Sequence, residues 1–143
     1  MLLRNKIVFL LALLLGSQSA LANSDENLDN QLTQRCLNSF EFIEQQNLSA
    51  FMDEMPGEYN VGQEKRLKEI LNRSHKRWFE KGDIQSIEVL KVSYQKPSDI
   101  KKKRFGAIEQ AKIKLYIQGE SFNARVSCKY IKTPDGWFLF KLP

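Results

Sequence analysis

The chain has 143 residues and carries 22 Lys and Arg against 17 Asp and Glu, a formal charge of +5. That length is one domain's worth of sequence, and the charge is far below the density of a nucleic-acid binder. One histidine and two cysteines leave little material for metal or nucleophile chemistry, and no internal repeat or low-complexity tract is visible.

The first residues have an address, not a fold. Arg4 and Lys6 precede an unbroken apolar run over residues 7–15, and Ala20-Leu21-Ala22 supplies small residues before Asn23. This is the layout of a secretory signal peptide cleaved after Ala22. The run is about half of the roughly twenty apolar residues that span a bilayer, so no stable membrane span is expected after cleavage. Residues 1–22 are read as leader and residues 23–143 as a single domain, exported to the periplasm or secreted. Loss of Arg4 and Lys6 lowers the charge from +5 to +3. Residues 23–30 are polar and expected to fray.

Leu28, Leu32, Cys36, Phe40 and Ile43 recur at steps of a helical face, predicting a first amphipathic helix over residues 28–46. Asn47 can cap the next helix. Leu48, Phe51, Met52 and Met55 predict that short second helix, which Pro56-Gly57 ends. Asn60 and Gln63 have capping-box spacing ahead of a third helix. Its stripe is Leu67, Ile70, Leu71, Trp78 and Phe79, with Lys76, Arg77 and Lys81 near its C-terminal pole.

Strands come next. Over residues 84–95 the apolar parity flips between Ile87-Val89 and Leu90-Val92-Tyr94, which predicts a β-bulge near Val89-Leu90. Residues 96–104 read as a polar connection with Pro97-Ser98-Asp99 as turn chemistry. Ala111, Ile113, Leu115 and Ile117 then alternate with polar neighbours, as do Phe122, Ala124, Val126, Cys128 and Tyr130, the pattern of a sheet with one buried face. Gln118-Gly119-Glu120 and Thr133-Pro134-Asp135-Gly136 are the turns between strands. Residues 137–142 are apolar on both faces and read as a central or doubly covered strand. Helices followed by strands is α+β order.

Cys36 lies on the first helix's apolar stripe and Cys128 on the buried sheet face, so both point into one core. In an oxidising compartment a disulfide between them is expected in preference to two buried thiols. Neither sits beside a histidine or in a Cys-x-x-Cys pair, so a catalytic thiol is not expected.

Asn47-Leu48-Ser49-Ala50-Phe51, the run from Lys81-Gly82-Asp83-Ile84 through Ser86-Ile87-Glu88-Val89-Leu90, and Lys132-Thr133-Pro134-Asp135-Gly136-Trp137-Phe138-Leu139 resemble secreted bacterial domains of the nuclear-transport-factor-2-like (cystatin-like) superfamily. Here the tryptophan follows Gly136 directly, a small departure from that family's Asp-Gly-x-Trp ending. The resemblance implies an α+β cone in which N-terminal helices pack on a curved four-stranded antiparallel sheet. It covers most of the mature chain and speaks to fold, which by itself does not fix chemistry.

The inward sheet positions carry no carboxylate or imidazole, with Tyr130 their sole polar tip. A non-catalytic exported binding module of the bacterial cell envelope is therefore the leading expectation. It would hold a small apolar ligand, or an envelope protein or second copy of the chain, near a pocket lined by His75, Trp78, Phe79, Tyr130 and Trp137. An alternative uses His75 as general base, aided by Tyr130 or Asp83. A third has Lys96, Lys101, Lys102, Lys103 and Arg104 touching an anionic envelope polymer. The outward residues Lys112, Lys114, Tyr116, Arg125 and Lys129 make a basic, partly aromatic sheet face, read as a wet face in preference to a partner surface. No cofactor, metal site or nucleic-acid partner is expected, since no metal-ligand spacing, phosphate loop or aromatic stacking platform is visible.

Overall fold

The computed structural model describes residues 19–143, with side chains from residue 24 onward. The leader expected over residues 1–22 lies outside this range, apart from its last four residues. The elements run α1 (Ser19–Glu44), α2 (Leu48–Asp53), a 3-10 turn (Gly57–Tyr59), α3 (Glu64–Phe79), β1 (Ile84–Gln95), α4 (Asp99–Phe105), β2 (Glu109–Gly119), β3 (Asn123–Thr133) and β4 (Gly136–Lys141). The strands form one antiparallel sheet in the order β1-β2-β3-β4, with helices packed on it. This is the α+β layout of the cone that the sequence resemblance implies.

The core lies between the helices and the inward sheet face. Leu32, Cys36 and Ile43 of α1 and Leu71 of α3 meet Ala111, Ile113, Leu115, Ile117, Cys128 and Tyr130, all essentially fully buried. Cys36 and Cys128 are bonded, with their Cα atoms 5.8 Å apart. The bond closes 92 residues of chain, worth about 4–5 kcal/mol in the chain-entropy account.

The register explains β1's change of parity. Val89 pairs with Leu115 and Lys91 with Lys114, so Leu90 is the extra residue of a bulge. Beyond it Val92 and Tyr94 share the inward face with Ile113 and Ala111.

Several expectations need correction. α1 does not fray before Leu28 but is helical from Ser19, helped by a hydrogen bond from the Tyr94 hydroxyl to the Asp29 carboxylate. The N-cap of α3 is Gln63 with no side-chain bond, and Asn60 lies in the preceding turn, where it donates through Nδ2 to the Met52 carbonyl. Residues 99–105 are helix, not coil. Ser98 accepts from the Lys101 amide at the N-terminus of α4, and Gly106 closes it at φ +63°. β4 is an edge strand, not a central one. Its apolar second face is met by α4, where Phe140 packs edge-on to Phe105 at 5.7 Å.

Candidate functional site

The residues expected to line one pocket do not converge. Trp78 is buried against Phe40 and Phe122, and its Nε1 donates to the Pro143 carbonyl at 3.1 Å. His75 and Phe79 lie beside each other, ring centroids 5.7 Å apart. The His75 Nδ1 is 3.1 Å from the Ile43 carbonyl, which can only accept, so this nitrogen carries a proton and ties α3 to α1. Tyr130 and Trp137 sit at the other end of the sheet. Phe122 and Tyr130 are eight residues apart along the chain, roughly 25 Å at strand rise.

Tyr130 is fully buried beneath the Arg35 guanidinium, 5.1 Å from its ring centroid. Its hydroxyl has no hydrogen-bond partner among the described residues. Burial, reinforced by the Glu54 carboxylate, holds that hydroxyl far above the ordinary tyrosine range, with Arg35 acting the other way. Trp137 packs edge-on to Tyr94 at 5.9 Å. These aromatics fill the body of the cone. Asp83, the alternative helper for His75, offers its carbonyl to the Glu120 amide.

The concavity lies elsewhere, along the second half of β4. A groove of about 910 Å³ runs between α3 with the 3-10 turn on one side and α4 on the other. Phe51, Leu67, Ile131, Leu139 and Leu142 form its apolar floor. One wall is the N-cap Gln63 continued by a single helical stripe of α3, Arg66, Ile70, Arg73 and Arg77, adjacent to the buried stripe Leu67, Leu71, Ser74 and Trp78. The opposite wall is Ile100, Lys101, Arg104 and Phe105 of α4, with Phe140 and Lys141 of β4. Tyr59 closes one end. Its hydroxyl donates to the Arg104 carbonyl at 2.6 Å and its ring meets Phe105 edge-on at 4.8 Å.

The electrostatics of this groove are one-sided. Arg66, Arg73, Arg77, Lys101, Arg104 and Lys141 line it, and among the described residues Glu58 is the only acidic side chain that does. Among the same residues none of the six cations has a carboxylate partner, since the ion pairs are Arg35–Glu54 and Lys102–Asp99. Arg104 and Arg77 lie over the rings of Phe105 and Trp78. Lys101 donates to the Gln110 side chain at 2.6 Å and sits 4.6 Å from the Phe140 ring centroid. Its ammonium pKa is pushed down, first by burial and then by the positive charge of Lys129.

The basic segment is thus divided. Lys101 and Arg104 face the groove, Lys102 pairs with Asp99, and Lys96 and Lys103 lie outside the groove lining. The arginine stripe of α3 went unread in the sequence because its cations look like an ordinary solvated face. The spacing of Arg66, Ile70, Arg73 and Arg77 was the available signal.

Among solved structures the chain is similar to a protein described as a nuclear-transport-factor-2-like transpeptidase from Campylobacter jejuni. The likeness has 11% identity and a TM-score of 0.49, over 71% of this chain and 90% of that one. No family model and no curated protein matches the chain. Among the described residues no helix is long and apolar enough to cross a membrane.

Proposed function

We propose that this protein is a non-catalytic binding module of the bacterial cell envelope that holds an amphipathic anion in the groove between α3 and α4. The observation that carries this reading is the groove's composition: an apolar floor ringed by six cations with no carboxylate partners and one acidic side chain among the described residues. An apolar ligand alone would gain nothing from that ring, and a small hydrophilic anion would gain nothing from the floor. A molecule with a hydrocarbon tail and an acidic head uses both. Lys101 and Arg104, expected as part of a polymer-binding loop, become part of the same site. The disulfide fits an oxidising compartment, and residues 1–22 have the sequence pattern of an export signal.

Calorimetric titration with dodecyl phosphate and with uncharged dodecyl maltoside, both below micelle formation, tests this reading. Saturable binding of one phosphate per chain is expected, with the neutral amphiphile at least about tenfold weaker. Equal affinity for the two, or no saturation, would overturn it.

A further inference from the structure

The outward face of the sheet carries a second cationic surface. Lys91 stands directly opposite Lys114, Lys112 opposite Lys129, and Lys129 opposite Lys141. Arg125 lies one row further, across from Tyr116. Glu88 is the acid on this part of the face, and no ion pair is formed by any of these cations among the described residues. Like charges directly opposite one another weaken a sheet. Three such pairings are therefore a cost to folding.

We infer that this sheet face docks on an anionic lipid bilayer and that the adjoining groove receives its ligand from that surface. Two features select a bilayer. The cations spread over all four strands, which matches a two-dimensional array of headgroups better than one polymer strand followed along a line. The face is also continuous with the groove: Lys141 belongs to both, and Lys129 lies close enough to Lys101 in the groove wall to lower its pKa. The choice of bilayer rests on the amphipathic-anion reading of the groove, since an anionic bilayer is where such molecules are concentrated.

Flotation of the mature protein with vesicles of phosphatidylcholine alone, or mixed equally with phosphatidylglycerol, at about 0.1 M salt tests the inference. Binding is expected only to the mixed vesicles. Each lysine near such a surface is worth about a fivefold change in partition, so Lys112→Gln/Lys114→Gln/Lys129→Gln should lose about a hundredfold. That variant relieves like-charge pairs and should keep or raise the thermal midpoint. Arg73→Glu/Arg77→Glu, which alters the groove, should abolish dodecyl phosphate binding and leave vesicle flotation intact. Failure of flotation with dodecyl phosphate binding preserved overturns the surface alone. Flotation without phosphate binding removes the groove reading and with it the delivery of a ligand from the bilayer, and leaves only the docking of the sheet face. Binding to pure phosphatidylcholine, an unaffected triple variant, or full displacement from vesicles by polyglutamate at matched charge overturns the docking proposal, the last in favour of a soluble polyanion.

Discussion

Arg35 and Glu54 join the two N-terminal helices to the free edge of the sheet. Arg35 Nη2 lies 2.7 Å from Glu54 Oε2 and 2.9 Å from the Trp137 carbonyl, while the Glu54 carbonyl accepts from the Leu139 amide at 2.8 Å. The first half of β4 is thereby covered, and the groove begins where this cover stops. Both side chains are largely shielded, so Arg35→Met should cost about 1–3 kcal/mol by leaving Glu54 and the Trp137 carbonyl unsatisfied. Urea denaturation should show that loss, and hydrogen exchange should show the Leu139 amide opening faster. An unchanged midpoint with unchanged exchange would contradict the role given to this pair.

The disulfide should contribute much of the stability. Cys36 and Cys128 are fully buried and bonded, and Cys36→Ala/Cys128→Ala removes a link across most of the domain. A loss of about 2–5 kcal/mol is expected, read as a lower denaturation midpoint than that of the oxidised protein. Coinciding unfolding curves would show that the bond does little.

Tyr130 has a buried hydroxyl with no partner among the described residues, which makes an unusual substitution favourable. Its pKa is raised in the folded chain, first by burial, then by Glu54. Tyr94 is raised in the same direction, by burial and then by its hydrogen bond to Asp29. Because these folded values lie above the unfolded value of 10.0, the unfolded chain releases its protons first, so stability is unaffected by these groups below that pH and falls as pH climbs beyond it. Tyr130→Phe should therefore make the alkaline fall shallower. At neutral pH it should match or exceed the parent by about 1 kcal/mol, because the ring and its contact with Arg35 remain. Destabilisation at neutral pH would mean the hydroxyl has an unseen partner.

Gly119 ends β2 against the ring of Phe122, and a Cβ added there would collide with that ring. The same turn is closed by the Gly119 amide donating to the Phe122 carbonyl at 2.8 Å. Gly119→Ala should cost about 1–3 kcal/mol through displacement of Phe122 from Trp78, and indole fluorescence should shift with it. A neutral substitution would show that Phe122 moves freely.

The parts of the fold legible in the sequence are those set by local pattern. Period-two alternation located β2 and β3, and the doubled apolar pair Val89-Leu90 marked a bulge that the register places at Leu90. The helical stripe and strand parity together put Cys36 and Cys128 in one core. α4 was missed because it has no apolar period of its own: Ile100 is 73% exposed, and the helix depends on Ser98, Gly106 and the seating of Phe105. The groove was missed for a different reason. Parity says which face a residue shares, not how far along that face it lies, so Trp78 and Tyr130 were joined although they sit at opposite ends. The groove itself is assembled from α3, α4 and β4, which only tertiary packing brings together.

Backbone amide chemical-shift mapping during titration with dodecyl phosphate tests the site itself most directly. Shifts are expected along the Arg66, Ile70, Arg73 and Arg77 stripe of α3, at Lys101 and Arg104, and at Phe140 and Lys141. Saturating shifts centred instead on His75, Trp78, Tyr130 and Trp137, with the arginine stripe silent, would contradict the groove as the binding site.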